Sequence, residues 1–438
     1  MVRRRVTRWV APVLVFIVAF QIWDATEARR LARAEAAVLS ADPAAAARSG
    51  EDGGLEDAAL FYNAAATLQS GQVTVTGAPG NDPVWNRRES FFAAGVLPPG
   101  AAGTARAAID AASLRLIDDA AARPIGRAVA SRALAYRPLA LRRLFEAAAT
   151  RTLDDIAAMD ADVAVDSMVA QLRLLRIYRD GWLYEATMKG IDVAGVAADA
   201  GILLSHAAPA DGQLAVLADA LAQADDDDEV VKAITGEARF IAAAVSPSPA
   251  TCGQAQRPAR FLFQPLLRHH TTTLLAMTQD ALVAAARPWP ARVRDLQSMT
   301  APASYLPVLH EFFEPSRVLG GYQGRAVAAA VNAGRLRAAR LAALVERYRR
   351  RTGALPGRLA DADVEGPGAR QSADPFTGDG MRWSVDAQGY TIYSVGPDGR
   401  DDGGVLTPRD VPAGQMARSL TPPDIGVRVR LSPSRPPG

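Results

Sequence analysis

Two stretches decide how this chain is read: residues 340–364, RLAALVERYRRRTGALPGRLADADV, and residues 374–404, DPFTGDGMRWSVDAQGYTIYSVGPDGRDDGG. In the first, Ala338, Leu341, Leu344, Val345 and Tyr348 recur at the spacing of one helical face. Arg337, Arg340, Arg347 and Arg350 form the polar side. The pattern predicts a helix over 325–351, ended by Gly353 and kept from resuming by Pro356. In the second stretch, Asp374-Pro375 and Thr377-Gly378-Asp379-Gly380 are turn chemistry. Met381, Trp383 and Val385 then alternate with Arg382 and Ser384, and Tyr390–Val395 is rich in β-formers; DAQG between them reads as a hairpin loop. A third strand is expected over 426–431, where Val427, Val429 and Leu431 alternate with Arg428 and Arg430. The expected unit is one long helix packed on a three-stranded antiparallel sheet.

These residues resemble the C-terminal part of the major pseudopilin of type II secretion, in which a long helix leads through a Tyr-x-x-x-x-Gly-x-x-Pro segment and an Asp-Pro turn to a terminal sheet. The matching positions are Tyr348, Gly353, Pro356, Asp374, Pro375, Tyr390, Ile392, Tyr393, Ser394, Gly396, Asp398, Gly399, Gly403 and Gly404, with Asp424-Ile425 similar to the start of the family's closing strand. The resemblance covers about a quarter of the chain and implies calcium in the loop beside the last strands, held by Asp398, Asp401, Asp402 and Asp424. Hard oxygen ligands on a glycine-rich turn suit that cation. The EF-hand template does not apply, since Arg400 and Arg409 stand where it needs oxygen ligands. The competing reading of GPDGRDDGG is a tight acidic turn facing solvent. The chain also departs from the family. Its apolar segment begins RWVAPVLVF, without the processing glycine and glutamate of a pilin, and residues 24–324 separate that segment from the matching helix. The resemblance therefore implies a borrowed domain and not a pilus subunit. The layout as a whole is also similar to that of membrane-associated proteins of environmental bacteria.

At the other end, Arg3, Arg4, Arg5 and Arg8 precede WVAPVLVFIVAFQIW, and Asp24 and Glu27 follow it. Basic residues before an apolar run and acids after it favour a cytoplasmic N-terminus with the bulk translocated. Trp9 and Trp23 stand where aromatic rings favour the headgroup level. As a helix, Val10–Trp23 spans on the order of 21 Å against ~30 Å of hydrocarbon, with Val6, Thr7 and a snorkelling Arg8 extending it. The expectation is a single-pass anchor in the bacterial inner membrane, contacted through residues 9–23, with a periplasmic body. A cleaved signal peptide is the competing reading, although bulky Phe20, Ile22 and Trp23 replace the small residues of a cleavage site. A buried soluble helix leaves the arginine cluster without a role.

Between the two ends, residues 31–103 read as membrane-proximal helices and loops, including a helix at 55–68, and 104–320 as an irregular α-helical domain. Its alanines favour close helix contacts, and no 33–40-residue repeat is present. The segment 321–438 is the α+β domain, with 405–423 and 432–438 read as loosely ordered. The fold class is thus mainly α, with a small C-terminal α+β part.

The 438 residues carry a net charge of +2, without the basic stripe that nucleic acid requires. Arginine outnumbers lysine throughout, Lys189 and Lys232 being the only lysines, which matches GC-rich bacterial coding. One cysteine, Cys252, excludes an intrachain disulfide and reads as a packing residue. His310-Glu311-Phe312-Phe313-Glu314 begins like HExxH but lacks the second imidazole that zinc needs one turn on. His269 and His270 are adjacent and diverge on a helix, and the acidic run Asp225–Asp228 reads as a solvated loop or a helix N-terminus. No GxSxG, Walker loop or dinucleotide fingerprint occurs.

The functional expectation is a non-enzymatic, membrane-tethered scaffold with protein partners in the envelope. Two alternatives remain. One is an extracytoplasmic hydrolase assembled from His206, His310, Glu311 and Glu314. The other is a peptide- or small-ligand-binding helical module with an aromatic groove around Tyr178, Trp182 and Tyr184.

Overall fold

The computed structural model describes residues 2–40, 87–88, 90, 97, 115, 119, 138–175, 183–245, 257–302, 314–362, 372–406 and 424–431. Its main helices are α1 (Val2–Ser40), α2 (Pro138–Ala157), α3 (Ala161–Leu174), α4 (Leu183–His206), α5 (Asp211–Ala224), α6 (Glu229–Val245), α7 (Arg257–Ala285), α8 (Ala291–Ser298) and α9 (Pro315–Thr352). Three strands follow: β1 (Arg382–Asp386), β2 (Gly389–Ser394) and β3 (Ile425–Arg430). The chain is mainly helical with one small antiparallel sheet, ordered β1-β2-β3, as the sequence pattern predicts.

The spine is α9. Pro315 opens it, where a missing N–H costs nothing, and Gly353 closes it at φ 77, its N–H returning to Arg349 O at 2.8 Å. The helix starts earlier than the apolar stripe alone indicates, because Leu319 and Tyr322 find a core of their own. That second core joins the first half of α9 to α6, α7, α8 and Leu31 of α1. The first core joins the other half of α9 to α2–α5 and, through Tyr390, Ile392, Val427 and Val429, to the sheet. One hydrophobic cluster thus runs from the helical body into the sheet, crossing residue 320.

This wrapping corrects the expected polar side of α9. Arg337 and Arg340 are each only 3% exposed, while Arg350 does face solvent. α4 and α5 cover one flank and β2 and β3 another, so no open side remains along this part of the helix. Arg337 Nε donates to Asp225 at 2.7 Å, Nη2 to Asp227 at 3.1 Å and Nη1 to Ala373 O at 3.0 Å. The acidic run does lead into the N-terminus of α6, with Asp227 and Asp228 exposed, but Asp225 departs from the solvated reading as a buried counter-ion of Arg337. Asp226 takes Lys232, and Arg347, further along α9, pairs with Asp211 at 3.0 Å.

A second ionic group lies between the two cores. Glu229 accepts from buried Lys189 and lies 2.8 Å from Arg325. Burial opposes its ionisation, but Lys189 and Arg325 outweigh that and hold the carboxyl below its usual range. At Asp225 burial wins over Arg337, and the carboxyl sits above its usual range.

The sheet is fixed on three sides. Tyr390 on β2 donates its hydroxyl to Glu346 of α9 at 3.0 Å, and Glu346 in turn accepts from Arg349 at 2.6 Å. Burial, then the Glu346 charge, keeps the phenol protonated and a donor. The Asp-Pro turn grips the end of β2: fully buried Asp374 accepts from Phe376 N and Ser394 Oγ at 2.8 Å and from Val395 N at 3.0 Å. The outer edge of β3 is closed by α4. Ser205 Oγ accepts from Arg430 N at 2.8 Å, and a Cβ on Gly201 would meet Arg428 O at 2.7 Å, so only glycine lets the helix come this near.

At the N-terminus, α1 docks on α7 through Leu31 and the Asp24–Arg268 pair at 2.6 Å. Among the described residues no helix is long and apolar enough to cross a membrane. The side chains of 9–17, most of the expected anchor, lie outside them. The expected helix at 55–68, Cys252, and the tails 407–423 and 432–438 also lie outside the described residues.

Two outcomes are expected. Tyr390→Phe leaves buried Glu346 without one donor and should cost about 1–3 kcal/mol in denaturant unfolding. The stability contributed by Glu229 is complete above its ordinary pKa of 4.5 and is lost as the pH falls through the lower folded value. Glu229→Gln should therefore lower stability at pH 7 and flatten its decline below about pH 4.5, where the Asp225 contribution runs the opposite way.

Candidate cation-binding loop

Past Ser394 the chain turns through Gly396 (φ 72) and Gly399 (φ 68) and folds back over the outer face of the sheet. A Cβ on Gly404 would stand 3.0 Å from the Tyr393 ring and 3.1 Å from Ser384 Oγ, and Gly404 also has a φ of 82, so this crossing requires glycine. Leu406 then bridges Asp424, bringing the start of β3 beneath the loop.

Asp401 is the loop's main fastening. Its Oδ2 accepts from Arg382 Nη1 of β1 at 2.5 Å, and its Oδ1 from the Tyr393 hydroxyl of β2 and from Gly403 N, each at 3.0 Å. The Gly403 N–H, the Tyr393 hydroxyl and Arg382 hold the Asp401 carboxyl below its usual range. Burial and the facing Asp401 push the Tyr393 phenol up to about 12.

Asp424 lies beneath, 1% exposed. Its Oδ2 accepts from Gly404 N at 2.8 Å, while Oδ1 is buried with no hydrogen-bond partner. Burial raises its carboxyl above the usual range, the Gly404 and Asp402 N–H groups pull it down, and the charges of Asp401 and Asp402 raise it further. Burial and the neighbouring Asp401 and Asp402 charges thus disfavour the ionised form of this carboxyl, and a bound positive charge would favour it. That observation fits a hard divalent ion.

The fit is partial. Asp401 and Asp424 accept from the successive N–H groups of Gly403 and Gly404 and so lie near each other, whereas Asp398 is exposed and spends its carboxylate on Arg400 N at 3.0 Å, inside its own turn. Among the described residues no three His, Cys, Asp or Glu side chains are already arranged to hold a metal. The sequence reading named Tyr393 as a family match and Arg382 as an alternating strand residue, but gave neither a role in the loop. The available signal was the hairpin register, which pairs Arg382 with Tyr393 across β1 and β2.

Of the alternative constellations, only His206 and Glu314 fall wholly among the described residues. His206 closes α4 and Glu314 precedes α9, where it holds Arg317 and Ser316; His310 and Glu311 lie outside the described residues. Tyr178, Trp182 and the side chain of Tyr184 also lie outside them. His269 and His270 diverge as expected, the first exposed 3.4 Å from Glu27 and the second buried.

Comparisons with protein-family models, curated proteins and solved structures returned no match.

Because the folded Asp424 carboxyl is raised, its ionisation costs stability as the pH rises through that value. Asp424→Asn keeps an oxygen for Gly404 N and removes the repulsion. In chelator at pH 7.5 the variant should melt no lower than the parent chain in a thermal scan.

Proposed function

We propose that this chain is a non-enzymatic, extracytoplasmic scaffold tethered to the inner membrane by residues 9–23, with a pseudopilin-like C-terminal unit that binds calcium and contacts envelope partners. The observation that carries the calcium part is the buried, unpartnered Oδ1 of Asp424 beside Asp401 and Asp402. The long helix on a three-stranded sheet, and the Asp374 turn gripping β2, support the likeness to the pseudopilin end. Asp401, Asp402 and Asp424 would hold the cation, with glycine-rich backbone supplying carbonyl oxygens. Calcium would bring the positive charge that the three carboxylates lack. A site with few preformed ligands is a weak one, suited to the millimolar calcium outside the cytoplasm. The tether rests on the charge asymmetry around 9–23 and on the unbroken passage of α1 from that run into its contact with α7.

Two measurements test this. Millimolar calcium should raise the melting temperature of the full chain relative to chelator by a few degrees, as binding ten to a hundred times above Kd adds about 1.4–2.7 kcal/mol. Asp424→Asn should remove the shift, and an unmoved parent melt would remove the calcium claim. In cells, the protein should stay with membranes through an alkaline wash and be cut by protease added to spheroplasts. Recovery in the soluble cytoplasmic fraction would end the tether.

A further inference from the structure

The two edges of the sheet differ. On β3 the Arg430 N–H turns away from β2 and donates to Ser205 of α4 at 2.8 Å, which closes that edge. Arg430 pairs with Gly389, so Gly389 aims its own N–H and C=O the other way, at Asp386 of β1 across a two-residue turn. Alternation along β1 then gives Ser384 and Arg382 the bonds to β2 and turns the N–H and C=O of Trp383 and Val385 outward. Among the described residues nothing pairs with those outward groups. The side chains at this edge are uncovered too. Tyr390 and Val429, beside Val385 in the register, are fully buried, whereas Val385 at the end of the same row is 52% exposed. An open ladder and an uncovered apolar residue on one edge are what a further strand covers.

We propose that the β1 edge pairs with the β1 edge of a second copy of this chain, antiparallel about a twofold axis at Ser384, joining the two sheets into one. The charges of the strand select this occupant. β1 reads Arg382-Trp383-Ser384-Val385-Asp386, basic at one end and acidic at the other. Reversed against itself about Ser384, it sets Arg382 opposite Asp386 of the second copy on one face and Trp383 opposite Val385 on the other. This register also aligns the ladder, since the outward groups of Trp383 meet those of Val385 in the second copy. Sliding by two residues either way leaves a charge opposite Ser384, and a parallel copy in register sets like charges side by side. Arg382 and Asp386 already hold Asp401 and Arg428 at the surface. Surface pairs are weak, so both residues can share a second partner. An edge this short makes the pairing weak and reversible. It depends on neither the calcium nor the tether proposed above.

The test uses the full chain in mild detergent. Sedimentation velocity from about 1 to 100 µM should show a monomer–dimer equilibrium for the parent. Val385→Pro removes an outward N–H from each copy but no bond to β2. It should weaken dimerisation about tenfold or more while melting within a few degrees of the parent. Cysteine cross-linking gives a second readout, with Cys252→Ser in every variant. A short bismaleimide should join Val385→Cys into dimers about tenfold faster than Val216→Cys, a valine on α5 that is as exposed. A parent that stays monomeric overturns the proposal, as does a dimer undiminished by Val385→Pro or equal cross-linking at the two positions. If Val385→Pro melts far below the parent, the cross-linking ratio decides.

Discussion

The rest of this structure depends on how α9 buries its arginines. A helix that carries Arg325, Arg337 and Arg340 among alanines and leucines can be enclosed only if opposite charge arrives with the enclosing elements. Glu229 at the start of α6 meets Arg325, and Asp225 and Asp227, between α5 and α6, meet Arg337. The polypeptide that neutralises α9 is the connection that also sets where α5 ends and α6 begins. Buried ion pairs add little net stability compared with well-packed apolar groups, but breaking one leaves an unpaired charge that costs several kcal/mol. These pairs therefore select one placement of the acidic run against α9.

The same logic joins helix and sheet. Arg337 also reaches Ala373 O, the residue before the Asp-Pro turn, and Asp374 then organises Phe376, Ser394 and Val395. One arginine thus links the acidic run, the spine helix and the turn that positions β2. Tyr390 and Glu346 repeat the link further along α9, and Ser205 and Gly201 close the far edge of β3. The candidate loop lies on the face left open by these contacts. Its carboxylates are not paired off in the way those around α9 are. Asp401 has a surface arginine, and Asp424 has only the backbone N–H groups of Gly404 and Asp402.

Much of the C-terminal unit could be read from local chemistry. The end of α9 follows from Gly353 and Pro356, the β1–β2 hairpin from Gly389 and its flanking alternation, and β3 from Val427, Val429 and the intervening arginines. These features involve near neighbours, and period and turn residues report near neighbours well. Asp401 and Asp424 come near each other because the successive N–H groups of Gly403 and Gly404 reach them, and the bridge from Leu406 sets Asp424 beside the loop just before β3. Asp398 is the exception, because an aspartate in a tight turn is satisfied first by the backbone two residues on.

The amino-acid sequence by itself determined the helical class and the three strands with their order along the chain. Only the tertiary structure decided which charges are buried. Arg337 and Arg350 look alike in the helical pattern, yet one is enclosed and the other is in water. Asp225 looks like any member of an acidic run until α9 is laid against it. The physical reason is that a charge is tolerated inside only where a partner from a distant part of the chain meets it. No local pattern records that meeting, so the fate of each arginine and aspartate had to come from how the helices pack.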